Sequence, residues 1–246
     1  MEKMLYEKIF NLENNHWWFQ ARTKIIFFIL TNYIKITNDF KILDIGCGTG
    51  LMIKKIKNKF KNSQILGIDS SSEAVRFCKK RGLDIILASA DKTNQTSSSF
   101  DLIMALDLIE HVKQDTNALK EFNRILKNNG YILITVPAFE FLFDIHDKLA
   151  DHKRRYTTKK LKLKLKSTGF KIIKISYYNT FLFIPIIILK LFKKITGSNQ
   201  DHIQKENFIL NYLCKIIFSS EFFILKYFNF PFGVSIICLA QKNKIH

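Results

Sequence analysis

The sequence predicts an α/β protein in which a mostly parallel sheet is flanked by helices. Three observations carry this prediction. From residue 38 to residue 178, short apolar runs ending in an acid or a turn residue alternate with helical stretches, the pattern of βα units joined by right-handed crossovers. The first of those runs passes directly into Gly46, Gly48 and Gly50, a strand, a tight turn and a helix start in succession. The length, 246 residues with 47% hydrophobic content, suits one large domain with an embellishment and is enough to bury a sizeable core.

Taken in order, residues 1–37 read as an N-terminal helical cap with two helices, Glu2–Leu12 and Arg22–Tyr33. Between them stand Asn15, His16, Trp17, Trp18 and Phe19, which include both tryptophans. Adjacent large aromatics cannot share one helical stripe, so some of them cover the sheet or a ligand. The first strand ends at Asp44, and a helix follows over 51–60. A second strand, Gln64–Asp69, also ends in an acid, and Ser70 to Glu73 forms a helix-capping run. Asp84–Ala88 reads as a third strand, closed by Ser89, Ala90 and Asp91, and Phe100–Ala105 as a fourth, running on to Leu106 through His111. Leu126–Gly130 reads as a turn, and Tyr131–Val136 as a fifth strand closed by Pro137.

Residues 160–166 alternate Lys and Leu, which by period alone argues for a strand. Thr157 and Thr158 supply an N-cap and Gly169 a stop, and Leu and Lys favour helix. The prediction is therefore a helix over 158–168, then a strand Phe170–Tyr177. Residues 179–230 form an apolar and basic insertion before a last strand, Val234–Gln241. The core is thus 38–178 together with 231–246.

Composition narrows the classes. Cys47, Cys78, Cys214 and Cys238 are scattered, without zinc spacing, which points to a reducing compartment. The N-terminus lacks the order of a signal peptide, and no apolar run is read as reaching the roughly 18–20 residues of a spanning helix. A cytoplasmic protein is expected. The formal net charge is +18. Lys and Arg outnumber Asp and Glu by 4 over residues 1–150 (21 against 17) and by 14 over residues 151–246 (18 against 4). A field of one sign attracts nucleic acid, anionic membrane or acidic substrate; a solvated lysine-rich surface reads the same way.

Residues 42–50, Ile-Leu-Asp-Ile-Gly-Cys-Gly-Thr-Gly, carry the chemistry. The G-x-G-x-G spacing differs from the G-x-G-x-x-G of a dinucleotide turn, whose helix N-terminus receives pyrophosphate. A carboxylate at the head of the loop repels phosphate and suits a cation. An ordinary tight βα turn remains the alternative. The loop resembles motif I of the class I S-adenosylmethionine (SAM) methyltransferases, and the later segments follow in that family's order. The resemblance extends over nearly the whole chain, to a bacterial subfamily with His16 to Phe19 and Arg22, Asp107 to His111, His146-Asp147, His152 to Tyr156 and Pro231 to Ser235. It implies a seven-stranded Rossmann-like sheet. It also implies SAM binding, with S-adenosylhomocysteine as product, through Asp44, Gly46, Cys47, Gly48, Gly50, Asp69, Ser70, Asp91 and Asp107, where Asp69 meets the ribose and Asp91 the adenine. His16, Trp17, Trp18, Arg22, His111, Arg154, Arg155 and Tyr156 become candidates for holding the acceptor. Asn128-Asn129-Gly130 stands where relatives often have Pro-Gly-Gly; Asn tolerates turns, so nothing catalytic is affected.

Residues 137–156 begin at the carboxyl end of the fifth strand, where open α/β sheets bind ligands. His146, His152 and Asp147 are the candidate catalytic residues, because a histidine near neutrality can take a proton from a hydroxyl. They are also possible metal ligands by type. On one helix, however, positions 146 and 152 lie about 240° apart, and no metal is expected there; a structural role for both histidines is the remaining alternative.

The insertion has an apolar front, Thr180–Leu189, and a basic rear at Lys190, Lys193 and Lys194. Three readings stay open: plain packing, a lid over a greasy acceptor, or peripheral contact with the inner membrane face. The expected function is methyl transfer from SAM to a small-molecule, lipid- or saccharide-linked acceptor, at oxygen. The alternatives are a nucleic-acid methyltransferase, which the charge suggests but the absence of Asn/Asp-Pro-Pro-Tyr/Phe and Pro-Cys motifs opposes, and a non-catalytic SAM-binding protein.

Overall fold

A computed structural model describes residues 3–196 and 207–243. Seven strands form one sheet: β1 Lys41–Ile45, β2 Gln64–Asp69, β3 Ile85–Leu87, β4 Phe100–Leu106, β5 Leu126–Pro137, β6 Phe170–Tyr178 and β7 Ser235–Lys242. Their order is β3-β2-β1-β4-β5-β7-β6. The first five are parallel neighbours, and β7 runs antiparallel to both β5 and β6. The expected Rossmann-like, mostly parallel seven-stranded sheet is what the chain forms. Its order reverses beside β1, placing the carboxyl ends of β1 and β4 at the switch point where such sheets bind ligands.

The helices are α1 Lys3–Leu12, α2 Trp17–Tyr33, α3 Leu51–Lys59, α4 Ser72–Lys80, α5 Asp115–Ile125, α6 Ile145–Leu149, α7 Thr158–Ser167, α8 Phe183–Thr196 and α9 Phe208–Leu225. Strand alternation feeds a core on each face. Leu102, Met104 and Leu106 of β4 pack with Ile25, Ile29 and Leu30 of α2 and Phe218 of α9. Ile103 and Ala105 point the other way, onto Leu119 and Phe122 of α5 and Leu161 and Leu165 of α7. Burying β4 on both sides explains its continuous apolar run.

Three expectations need correction. Helix α2 begins at Trp17, not Arg22: His16 is its N-cap, with Nδ1 accepting from the Trp18 N–H at 3.3 Å. The aromatic run is therefore its first turn, splayed over several neighbours. Leu126–Gly130 is not a plain turn but the start of β5, with a register shift against β4 between Phe100 and Leu102; Asn129 takes the left-handed φ of 61° that Asn tolerates. Finally, α9 has 18 residues with mean hydropathy 1.6, long and apolar enough to cross a membrane by length and composition. It lies along α2, with Phe218 and Leu225 in the core. Its buried Glu221 accepts from the N–H groups of Asn179, Thr180 and Phe181 at 2.7, 2.6 and 2.9 Å.

Candidate active site

Two cavities open at the carboxyl edge of the sheet and share Gly46, Gly48, Asp107 and His111 in their walls. The first, about 320 Å³, is bounded by Asp44, Trp18, Arg22, Glu110, His146 and His152, among others. The second, about 420 Å³, is bounded by Asp69, Ser70, Ala90, Asp91 and Tyr6. The glycine loop is the partition between them. Gly48 has φ 56° and a Cβ there would meet no protein atom within 4 Å, so it would project into the cavities. Gly46, at φ 71°, has the opposite constraint, since a Cβ would come within 2.6 Å of Leu108 Cδ1. Both are positions only glycine fills easily, one for a ligand's approach and the other for packing.

The acids flank that loop. Asp44 is buried, and burial pushes its carboxyl up to about 7 against the pull of Arg22. Asp69 ends β2; its Oδ2 accepts from the Gly48 N–H and its Oδ1 from the Ser71 N–H, each at 2.9 Å. Burial also raises its pKa, in spite of those bonds. Two buried carboxylates with raised proton affinity make a place that favours a cationic ligand. Asp91 is exposed in the second cavity, its carboxylate accepting from the Ser89 hydroxyl. Cys47 lines the first cavity, its thiol raised by its bond with Cys78 and by burial.

Asp107 follows β4 in a left-handed conformation, φ 53°, which costs free energy for a non-glycine residue. Its Oδ2 pairs with Arg22 at 2.7 Å and its Oδ1 accepts from the Thr135 hydroxyl at 2.9 Å. Arg22, buried, also donates to Thr135 Oγ1 at 3.1 Å and lies 5.0 Å over the Trp18 ring.

The predicted acceptor residues therefore separate. Trp18, Arg22, His111 and Arg155 reach the first cavity. His16 caps α2, and the Trp17 N–H donates to Asn211 Oδ1 at 2.7 Å while its ring meets Phe218 edge-on. Arg154 bonds the Lys113 carbonyl and pairs with Asp115 at 3.3 Å. Tyr156 is buried, donating its hydroxyl proton to Asp115 at 2.7 Å. These four lie outside the walls of the first cavity.

His146, Asp147 and His152 do come together, though not on one helix, because α6 ends at Leu149. The 240° separation expected on a single helix therefore does not hold, and the two imidazoles meet edge-on, 6.5 Å between ring centroids. Asp147, fully buried, holds His152 Nδ1 at 2.7 Å and takes a two-pronged bond from Arg155 Nε and Nη2 at 2.9 and 2.8 Å. Despite its burial its carboxyl stays below the usual range, because of His152 and Arg155. With Nδ1 so engaged, His152 keeps Nε2 for other chemistry.

Several residues escaped the sequence reading. Glu13, at the end of α1, accepts from the Thr49 hydroxyl of the glycine loop at 2.7 Å and pairs with Arg81 after α4. Arg81 Nε in turn donates to the Thr49 carbonyl at 2.8 Å. The cap is thus tied to the loop by charged contacts across dozens of residues, which no local pattern announces. Glu110 is fully buried with neither carboxylate oxygen hydrogen-bonded among the described residues. Burial first, then Asp107, raises its pKa well above the usual range. In sequence it looks like the polar end of an apolar strand.

Residues 43–134 match the family model described as a methyltransferase domain. The chain is 30% identical over 125 residues to "N-methyltransferase 4" of Papaver somniferum, covering 48% of this chain and 35% of that one. It is 29% identical over 226 residues to the "Ubiquinone/menaquinone biosynthesis C-methyltransferase UbiE" of Campylobacter jejuni, covering 87% and 83%. It spans less than half of the first three curated relatives it matches. Among solved structures it resembles a SAM-dependent methyltransferase from Archaeoglobus fulgidus, with TM-score 0.59, 18% identity, and 91% and 94% coverage. It also resembles the [4+2]-cyclase SpnF, with TM-score 0.62, 20% identity, and 92% and 82% coverage. At those identities the structural likeness establishes the fold; one fold carries more than one reaction.

Proposed function

We propose that this chain is a SAM-dependent methyltransferase acting on a small-molecule or lipid-linked acceptor, at oxygen. The observation that carries the reading is the partition of two cavities by a glycine loop with buried Asp44 and Asp69 on either side. The methyltransferase-domain match over the same segment supports it. SAM supplies, when bound, a methyl group on a sulfonium that is lost by in-line displacement. Asp44 would hold the amino group of the donor's methionine half, Asp69 the ribose hydroxyls, and Ser70 and Asp91 the adenosine end. Arg22, locked between Asp107 and Thr135, keeps Asp107 aimed at the junction of the two cavities. Catalysis is chiefly positioning, and proton removal from an acceptor hydroxyl falls to the histidine side of the first cavity, His146 and His152.

The insertion is fastened to α6, the helix that carries His146. Lys190 of α8 donates to the Leu142 carbonyl and pairs with Asp144, the N-cap of α6, each at 2.7 Å. Outward, α8 and α9 expose Ile188, Phe192, Phe208 and Phe223 at 60, 64, 81 and 64%. This surface favours a peripheral seat on the inner membrane face and an acceptor drawn from it, with the chain otherwise cytoplasmic.

Incubating the enzyme with isotopically labelled SAM and a membrane-containing cell extract, followed by mass spectrometry, tests the reading. A labelled, alkali-stable methyl ether in the lipid fraction is expected. Label confined to RNA would replace it with the nucleic-acid alternative, and SAM binding in calorimetry without any labelled product with the non-catalytic one.

A further inference from the structure

One cluster at this edge is not absorbed by donor binding or by a simple histidine base. Glu110, His111 and His152 each offer a ligand atom, and those three atoms lie within 4.8 Å of one another. All three residues border the first cavity. Glu110 is fully buried, with neither carboxylate oxygen hydrogen-bonded among the described residues. Leaving such a group unmatched is costly, and a bound cation is one of the few partners that would satisfy it.

The surroundings are those of a ligand set. His152 has Nδ1 fixed by Asp147, itself gripped by Arg155. Ligating histidines commonly have the second ring nitrogen tied in this way, to a carboxylate or a backbone carbonyl. The rings of His111 and His152 meet edge-on, 4.6 Å between centroids. The Lys153 N–H donates to the Glu110 carbonyl at 2.9 Å, clamping the two segments together.

We propose that Glu110, His111 and His152 bind one divalent first-row transition-metal ion at the wall of the first cavity. Two imidazoles and one carboxylate form a set suited to Zn²⁺, Fe²⁺ or Co²⁺ rather than to Mg²⁺. At Zn–N distances of about 2.0–2.1 Å, tetrahedral ligand atoms stand about 3.3 Å apart, so side-chain rotation closes the triangle by up to about 1.5 Å. Three protein ligands leave an open position, which faces the cavity. On the methyltransferase reading, that position takes an oxygen of the acceptor, and the ion lowers the pKa of a bound hydroxyl. His152 then acts as a ligand, leaving His146 as the protein base.

The test uses the full chain, stripped with chelator and titrated with Zn²⁺ and, separately, Mg²⁺ by calorimetry. One Zn²⁺ per chain is expected, bound more tightly than Mg²⁺. Glu110→Gln and His111→Ala each weaken Zn²⁺ by about 100-fold or more, and Asp147→Asn by about 10–100-fold through His152. Circular dichroism checks folding, and His152→Ala stands in if the Glu110 variant is unfolded. No Zn²⁺ binding by the wild type overturns the proposal, as does Zn²⁺ affinity unchanged in the folded ligand variants or weaker than that of Mg²⁺. SAM titration of the same metal-stripped chain reads the donor site independently. Retained SAM binding without Zn²⁺ binding rejects the ion alone, and Zn²⁺ binding without SAM binding rejects the methyltransferase reading alone.

Discussion

On the proposed function, Asp69 is a side chain that serves both fold and ligand. Its two oxygens each accept one backbone N–H, from Gly48 and Ser71, and a carboxylate retains lone pairs beyond those two. Asp69→Ala removes a charged hydrogen-bonding group worth about 1.5–3 kcal/mol, so SAM affinity measured by calorimetry should fall about 10–100-fold. An unchanged affinity would put the ribose elsewhere. Asp115 is the contrasting case, a residue outside the cavities with a structural task. It is buried and accepts from Tyr156 Oη and Lys164 Nζ, each at 2.7 Å. Burial works to raise its pKa, but Lys164 and Tyr156 hold it below the ordinary value. Because the folded value is the lower one, the stabilisation is present above the ordinary carboxylate range. It is lost as pH falls through the folded value. Asp115→Asn should cost about 1.5–3 kcal/mol at neutral pH, and the gap to wild type should narrow in acid; thermal melts across a pH series give both numbers.

At the scale of elements, α8 invites a direct experiment. Changing Ile188 and Phe192 together to Asp places two charges on its exposed side, opposite the Lys190–Asp144 pair that fastens it to α6. Sedimentation with anionic vesicles should drop at least about 10-fold, since each removed apolar side chain forfeits about 1.5–3 kcal/mol of burial. SAM affinity should stay level. Equal sedimentation of variant and wild type would return the insertion to ordinary packing. Elements also show what was legible beforehand. Strands β1, β2 and β4 could be read because each is an apolar run stopped by an acid or a turn at the sheet's edge. Helix α7 was legible in spite of its alternating Lys and Leu, because Thr157 caps it through the Lys160 N–H and Gly169 stops it. The start of α2 was not, since its cap is His16, outside the usual capping set, and its first turn is aromatic on every side. The glycine loop and its acids were visible as local strings. The Glu13–Thr49–Arg81 tie and the Glu110–His111–His152 cluster were not, because only the fold brings their parts together.

For the whole molecule, the strand order decides how the two halves depend on each other. Among the described residues β6 has its ladder with β7 alone, and β7 fills the space between β6 and β5. Removing residues 235–246 would leave facing strand edges and open both cores, since Ile236 and Cys238 serve one face and Ile237 and Leu239 the other. Such a chain should aggregate on expression, measurable as loss of soluble protein, whereas a soluble, SAM-binding truncation would show that β1 to β5 suffice. The same arrangement sets a timetable for synthesis on the ribosome. The loop, Asp69 and Asp107 emerge early and can assemble while translation continues, but β6 must wait, unpaired, through more than fifty further codons for its partner. During that interval the nascent chain displays the greasy helices α8 and α9 before the sheet beneath them is complete. A chaperone or a nearby bilayer would meet this protein first through the segment that Lys190 fastens to α6.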